Sequence, residues 1–238
     1  MDTLDDFLMT RPATAARPLL GLTVLVVEDS RFASEALRLL CLRSGARIRR
    51  ADSLFNARRH LRVYRPGAVI IDLGLPDGSG ADLIAELTNA TPRVDVILGM
   101  SGDPGAEDTA LAAGADGFLA KPIARLAEFQ AALLAHLPAD RHPPGPRPIN
   151  EDRVEPDVIA YRDDLAMAAD ALSGEDEVHV VDYLTQFLGG VARSAGDAPL
   201  TEAVSAVAAT RAAGRPLRPD MARLAAVVQS RLAASPRI

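Results

Sequence analysis

The 238-residue chain is longer than one small domain needs and sufficient for two, each with its own core. Hydrophobic residues make up 48% of it, aromatics only 4% and Trp none, so the cores must be assembled from Ala, Leu, Val and Ile, a composition suited to helices and buried parallel strands. The formal net charge of -6 argues against a polyanion held by overall charge, while a local basic patch stays open.

The first six residues are acidic where a secretory signal needs positive charge, and no apolar run approaches the ~20 residues of a membrane span. A cytoplasmic protein without a membrane partner is the expectation. The single cysteine, Cys41, stands at a helix-periodic position among leucines and should pack as a small apolar side chain. Of the 26 basic residues only Lys121 is a lysine. A chain so depleted in lysine that keeps one needs something there that arginine does not supply.

In chain order, residues 1–19 read as a tail in which Leu4, Phe7 and Leu8 make one short apolar stripe. From Leu22 short apolar runs alternate with helix-period segments, the pattern of stacked βα units. Strands are predicted at 23–27, 47–50, 68–73, 95–100 and 117–119, and helices at 32–43, 53–64, 80–89, 106–113 and 125–137. The second strand is polar enough for a sheet edge, whereas Ala68-Val69-Ile70-Ile71 reads as buried on both faces. The fold class is therefore α/β, a flavodoxin-like, doubly wound, five-stranded parallel sheet of order 2-1-3-4-5 spanning residues 20–138. Residues 139–150 are proline-rich and should form an extended linker. Residues 151–238 show helical periodicity alone and suggest an all-α bundle, with stripes at Val158, Tyr161, Leu165, Ala168 and Leu172, at Val181, Leu184, Leu188 and Val191, at Leu200, Val204 and Val207, and at Met221, Leu224, Val228 and Leu232.

In an open parallel sheet the functional side chains collect at the carboxyl ends of the strands. Those ends carry Glu28 and Asp29, then Asp72, Ser101 and Lys121. Clustered carboxylates repel one another, and a hard divalent cation that prefers oxygen ligands, Mg²⁺ above all, relieves the repulsion. Glu28, Asp29 and Asp72 would hold it. A carboxylate can also attack phosphorus, a reaction that depends on positioning and on neutralising the equatorial oxygens. Asp72 would attack, Lys121 would neutralise, and Ser101 could donate its hydroxyl to a phosphoryl oxygen.

The blocks Val24-Leu25-Val26-Val27-Glu28-Asp29-Ser30, Ile70-Ile71-Asp72-Leu73-Gly74-Leu75-Pro76-Asp77-Gly78-Ser79-Gly80, Met100-Ser101-Gly102 and Gly117-Phe118-Leu119-Ala120-Lys121-Pro122 resemble the signature segments of response-regulator receiver domains. The resemblance covers residues 20–138. It implies a phosphoaspartate at Asp72, formed from the phosphohistidine of a sensor histidine kinase or phosphotransfer protein, with Mg²⁺ at Glu28 and Asp29. It further implies a switch in which Ser101 moves toward the phosphoryl group and Phe118 follows inward, and a cis bond between Lys121 and Pro122. On this reading the chain is a phosphoacceptor and not otherwise an enzyme. Gly74 and Asp103 are departures that bear on phosphoryl lifetime.

Three readings stand open for residues 151–238. An interaction or dimerisation module switched by phosphorylation is preferred, with a possible homodimer and an unidentified downstream protein partner. A DNA-binding helix-turn-helix around residues 214–219 would place Arg211, Arg215, Arg218 and Arg223 on phosphates. Against it, residues 151–202 hold thirteen acids and three arginines, so those arginines could pair within the bundle. A histidine-phosphotransfer bundle would use His179, but Asp182 and Tyr183 stand where that family has lysine and glycine.

Overall fold

The computed structural model describes residues 12–103, 105–146, 150–172 and 178–234, with the backbone alone for 178–180. The stripe of Leu4, Phe7 and Leu8 lies outside the described residues. Two compact units emerge, one running through Asp29 and over Ala36–Glu155, the other made of Ser30–Glu35 and the chain from Pro156 on.

In the first unit the strands β1 (Thr23–Val27), β2 (Arg47–Ala51), β3 (Ala68–Asp72), β4 (Val96–Ser101) and β5 (Gly117–Ala120) form one parallel sheet in the order β2-β1-β3-β4-β5. The helices α1 (Arg31–Ser44), α2 (Leu54–Leu61), α3 (Gly80–Thr88), α4 (Ala106–Ala112) and α5 (Leu126–Leu134) connect or follow the strands. Alternation along the strands builds two cores. Val24, Val26, Ile70 and Leu98 point to the side packed by Leu37, Leu40 and Cys41 of α1 and Phe129 and Leu133 of α5. Leu25, Val27, Val69, Ile71 and Ile97 point to the other, packed by Leu54, Leu83, Ile84 and Ala110. Each such Leu or Ile contributes roughly 1.5–3 kcal/mol relative to an exposed one. Cys41 is buried, and burial pushes its thiol up to about 12, so it packs as an apolar group. The polar strand β2 is an edge, as its sequence Arg-Ile-Arg-Arg-Ala implies.

The structure departs from the sequence reading at three places. Gly74–Leu75 and Gly78–Ser79 close a two-residue antiparallel ribbon, too short for any alternation pattern to show. The stretch expected to be wholly extended contains a 3-10 turn at Ala139–Arg141, closed by bonds from Arg141 N to Pro138 O and from His142 N to Ala139 O. Such a turn needs only i to i+3 bonds and leaves Pro138 as an acceptor. Finally, residues 151–155, expected in the helical part, group with the first unit. Val154 is buried in the first core, its N–H donates to Ala124 O, and the N–H of Leu126 donates to Asp152 O, both at 2.9 Å. Arg153 bridges antiparallel to Arg125 at the start of α5, and Arg43 Nη1 donates to Arg153 O at 3.3 Å. Of the proline-rich stretch, residues 147–149 lie outside the described residues.

The second unit contains α6 (Val158–Leu172), α7 (Val178–Ala195), α8 (Ala198–Ala212) and α9 (Arg218–Ala233). Each packs on the next and α9 closes on α6, a four-helix arrangement around Leu165, Leu184, Leu188, Val191, Leu200, Val207, Leu224 and Val228. Asp197 ends the α7–α8 connection as a cap. Its carboxylate accepts from Leu200 N at 3.1 Å, Tyr161 Oη at 2.8 Å, and Arg231 Nε and Nη2 at 2.6 and 3.0 Å, tying the start of α8 to α6 and α9. Within the same unit the buried Asp164 accepts from Ser30 Oγ, Arg31 N and Phe32 N at 2.7, 2.8 and 3.0 Å. Among the described residues, no helix is long and apolar enough to cross a membrane.

Candidate functional site

Strand register brings the predicted residues together. Val27 pairs with Ile71, Asp72 with Met100, and Ser101 with Ala120, so the residues leaving β1, β3, β4 and β5 meet along one rim. Glu28 is held at the end of β1 by its N–H donating to Ala51 O, and Lys121 at the end of β5 by its N–H donating to Ser101 O. Lys121 Nζ lies 2.8 Å from Asp72 Oδ2 and 2.6 Å from Glu28 Oε2, with all three side chains almost wholly removed from solvent. The peptide between Lys121 and Pro122 is cis.

Glu28, Asp29 and Asp72 each offer an oxygen within 4.8 Å of the others. Burial, reinforced by the charges of Asp72 and Asp29, pushes the Glu28 carboxyl well above its usual range despite the opposing pull of Lys121. Burial alone would lower the Lys121 ammonium, but the charges of Glu28 and Asp72 outweigh it and hold the group protonated. Three carboxylates against one ammonium leave an excess of negative charge in a desolvated pocket. A divalent cation with a preference for hard oxygen ligands fits that donor set.

The remaining candidates are placed as follows. Ser101 is buried at the end of β4, where its Oγ accepts from Asp103 N at 3.1 Å. Phe118 is half-buried and packs with the α2–α4 core beside Gly99, where a Cβ would fall 2.5 Å from Ala110 Cβ. The side chain of His179 lies outside the described residues. In the second unit Arg211 is bidentate to Asp182 at 2.8 and 2.9 Å, and Arg223 donates to Glu202 at 2.7 Å. Two of the arginines considered for phosphate contacts are thus engaged inside the bundle.

Two positioning residues escaped the sequence reading. Gly80 opens α3 so close to β3 that a Cβ there would fall 2.0 Å from Asp72 O. Asp77, in the loop after Asp72, accepts from Leu54 N and Phe55 N at 2.8 and 2.9 Å and so ties that loop to α2. Its partners, twenty-odd residues upstream, were not readable from the sequence.

A five-stranded parallel sheet whose strand ends gather three acids, two of them bridged by one lysine, is the layout of a receiver module. The comparisons with known proteins agree. The family model described as response regulator receiver domain matches residues 24–133. The KDP operon transcriptional regulatory protein KdpE of Escherichia coli is 30% identical over 176 residues, 73% of this chain and 73% of that protein. Transcriptional regulatory protein KdpE of Mycobacterium tuberculosis is 35% identical over 112 residues, 47% of this chain and 49% of that protein. The receiver domain of a Pseudomonas aeruginosa sensor histidine kinase, solved with a magnesium ion in its active-site cleft, aligns at 25% identity with a TM-score of 0.44, covering 48% of this chain and 96% of that one. The chain belongs to the response-regulator family.

Proposed function

We propose that this protein takes a phosphoryl group from the phosphohistidine of a sensor histidine kinase or phosphotransfer protein onto Asp72, and that the phosphorylated receiver changes what the helical unit binds. The observation that carries the reading is Lys121 Nζ between Glu28 Oε2 and Asp72 Oδ2, at 2.6 and 2.8 Å, on a buried rim. An Asp72 carboxylate oxygen forms the new P–O bond as the P–N bond to the donor imidazole breaks, and the imidazole leaves with the electron pair and takes up a proton. Lys121, held cationic by its neighbours, balances charge on the transferred group, and Ser101 turns its hydroxyl from Asp103 N to a phosphoryl oxygen. Glu28, Asp29 and Asp72 would hold Mg²⁺, which supplies further neutralisation of the phosphoryl oxygens. Phe118 moving inward as Ser101 turns would carry the change to the surface of α4, β5 and α5. The site of action is cytoplasmic.

For the helical unit the interaction-module reading is favoured by the ion pairs of Arg211 and Arg223 within the bundle. The alternative, DNA binding, draws on the relatives named as transcriptional regulators. Incubation with Mg²⁺ and acetyl phosphate tests the first claim. Phosphate incorporation is expected in the wild type, and its absence after Asp72→Asn or with EDTA. Incorporation that Asp72→Asn leaves intact would refute it.

A further inference from the structure

Among the described residues seven large apolar side chains are exposed, and five of them occupy just two places. Phe55 and Val63 are 71% and 82% exposed on α2 and the turn that follows it, and Val158, Ile159 and Met167 lie on α6. Scattered exposed apolar residues are ordinary, but here the first group stands mostly among arginines and the second mostly among carboxylates.

The first field is positive in a chain of net charge -6. Residues 43–65 contain eight arginines and His60 against a single carboxylate, Asp52. Phe55, Arg59 and Arg62 follow one another at helical spacing on the exposed face of α2, with Arg65 exposed beyond them and Arg47, Arg49 and Arg50 on the neighbouring edge strand β2. The second field is negative. Residues 155–170 contain five acids and one arginine; Asp164 is buried and Asp163 is paired with Arg31 at 2.7 Å, which leaves the exposed Glu155, Asp157 and Asp170 to frame Ile159 and Met167. An aromatic and a β-branched side chain framed by guanidinium groups is the make-up of a protein-binding core. A polyanion would match the arginines but leave Phe55 and Val63 uncovered.

We propose that these two surfaces are the halves of one self-association contact: the arginine-framed face of Phe55 and Val63 in one copy docks on the acidic stripe of Ile159 and Met167 in a second copy. The contact joins unlike surfaces, so it closes in a two-fold pair in which each copy supplies both halves, or it propagates. It does not depend on the role of Asp72.

Sedimentation velocity of the full chain from ~1 to ~100 µM tests this. Concentration-dependent association is expected, weaker at high salt. Arg59→Glu with Arg62→Glu, and separately Glu155→Arg with Asp170→Arg, should each weaken it about tenfold or more through like-charge contact. An equimolar mixture of the two double variants should associate again, because the reversed faces match across copies. Phe55→Ala should weaken it with every charge unchanged. A wild type that stays monomeric, or association that neither reversal affects, overturns the proposal. So does salt-labile binding of a random duplex or of anionic vesicles that needs Arg59 and Arg62 in a chain that does not self-associate.

Discussion

Lys121 occupies a slot between two carboxylates that a guanidinium cannot fill in the same way. The ammonium is a compact charge with three donors and meets Glu28 and Asp72 from one point, whereas the planar fork of arginine spreads its donors and needs more room than this buried rim gives. This accounts for a lone lysine in a chain whose other basic residues are arginines. Lys121→Arg is expected to fold and yet accept phosphate from acetyl phosphate roughly 10²-fold more slowly, the usual cost of misplacing one preorganised donor. A rate within twofold of the wild type would show that charge alone suffices there. The candidate residues could be read from sequence because they follow apolar runs directly, so strand ends and chemistry coincide. Gly80 could be seen only as a helix start. Its necessity comes from the approach of the Asp72 carbonyl, a packing fact that no local pattern carries. Asp164 was likewise invisible, being an acid inside a helical stripe whose donors lie more than 130 residues away in sequence.

At the scale of elements, the parallel sheet and its covering helices were readable because buried strands and helical stripes have different periods. The short antiparallel bridge of residues 152–154 was not. One valine in an acidic run gives no period, and its partners at 124–126 are distant in sequence. Yet Val154 is part of the first core, and Asp152 O satisfies the first N–H of α5, the helix that follows Lys121 and Pro122. Val154→Asp should therefore destabilise the first unit by about 3 kcal/mol, through lost burial and an unpaired charge in an apolar site. Denaturant unfolding reads this directly. A change below about 0.5 kcal/mol, the size of an ordinary surface substitution, would mean that the segment merely rests on the surface.

Across the molecule, the family relationship rests on the first unit and on an alignment with one relative that covers 73% of each chain, while the helical unit carries its own stabilising device. The hydrogen bonds from Arg231 hold the Asp197 carboxyl at about 2, aided by those from Leu200 N and Tyr161 Oη and opposed by burial. An unfolded Asp titrates near ~3.9, so the folded value is the lower one. The clamp's contribution is complete above that pH and is lost as pH falls through about 2. Denaturation midpoints compared between wild type and Asp197→Asn should differ at neutral pH and converge as the pH is lowered from ~4 toward 2. A constant difference would contradict this assignment.

On the proposed phosphoryl transfer a carboxylate at the end of β3 becomes a mixed anhydride. Phosphorylation with Mg²⁺ and acetyl phosphate, followed by borohydride reduction and peptide mass mapping, identifies the modified side chain chemically. Homoserine is expected at position 72 and nowhere else in the chain. Reduction at another carboxylate, or a phosphate that resists borohydride and stays on a histidine or hydroxyl, would contradict it.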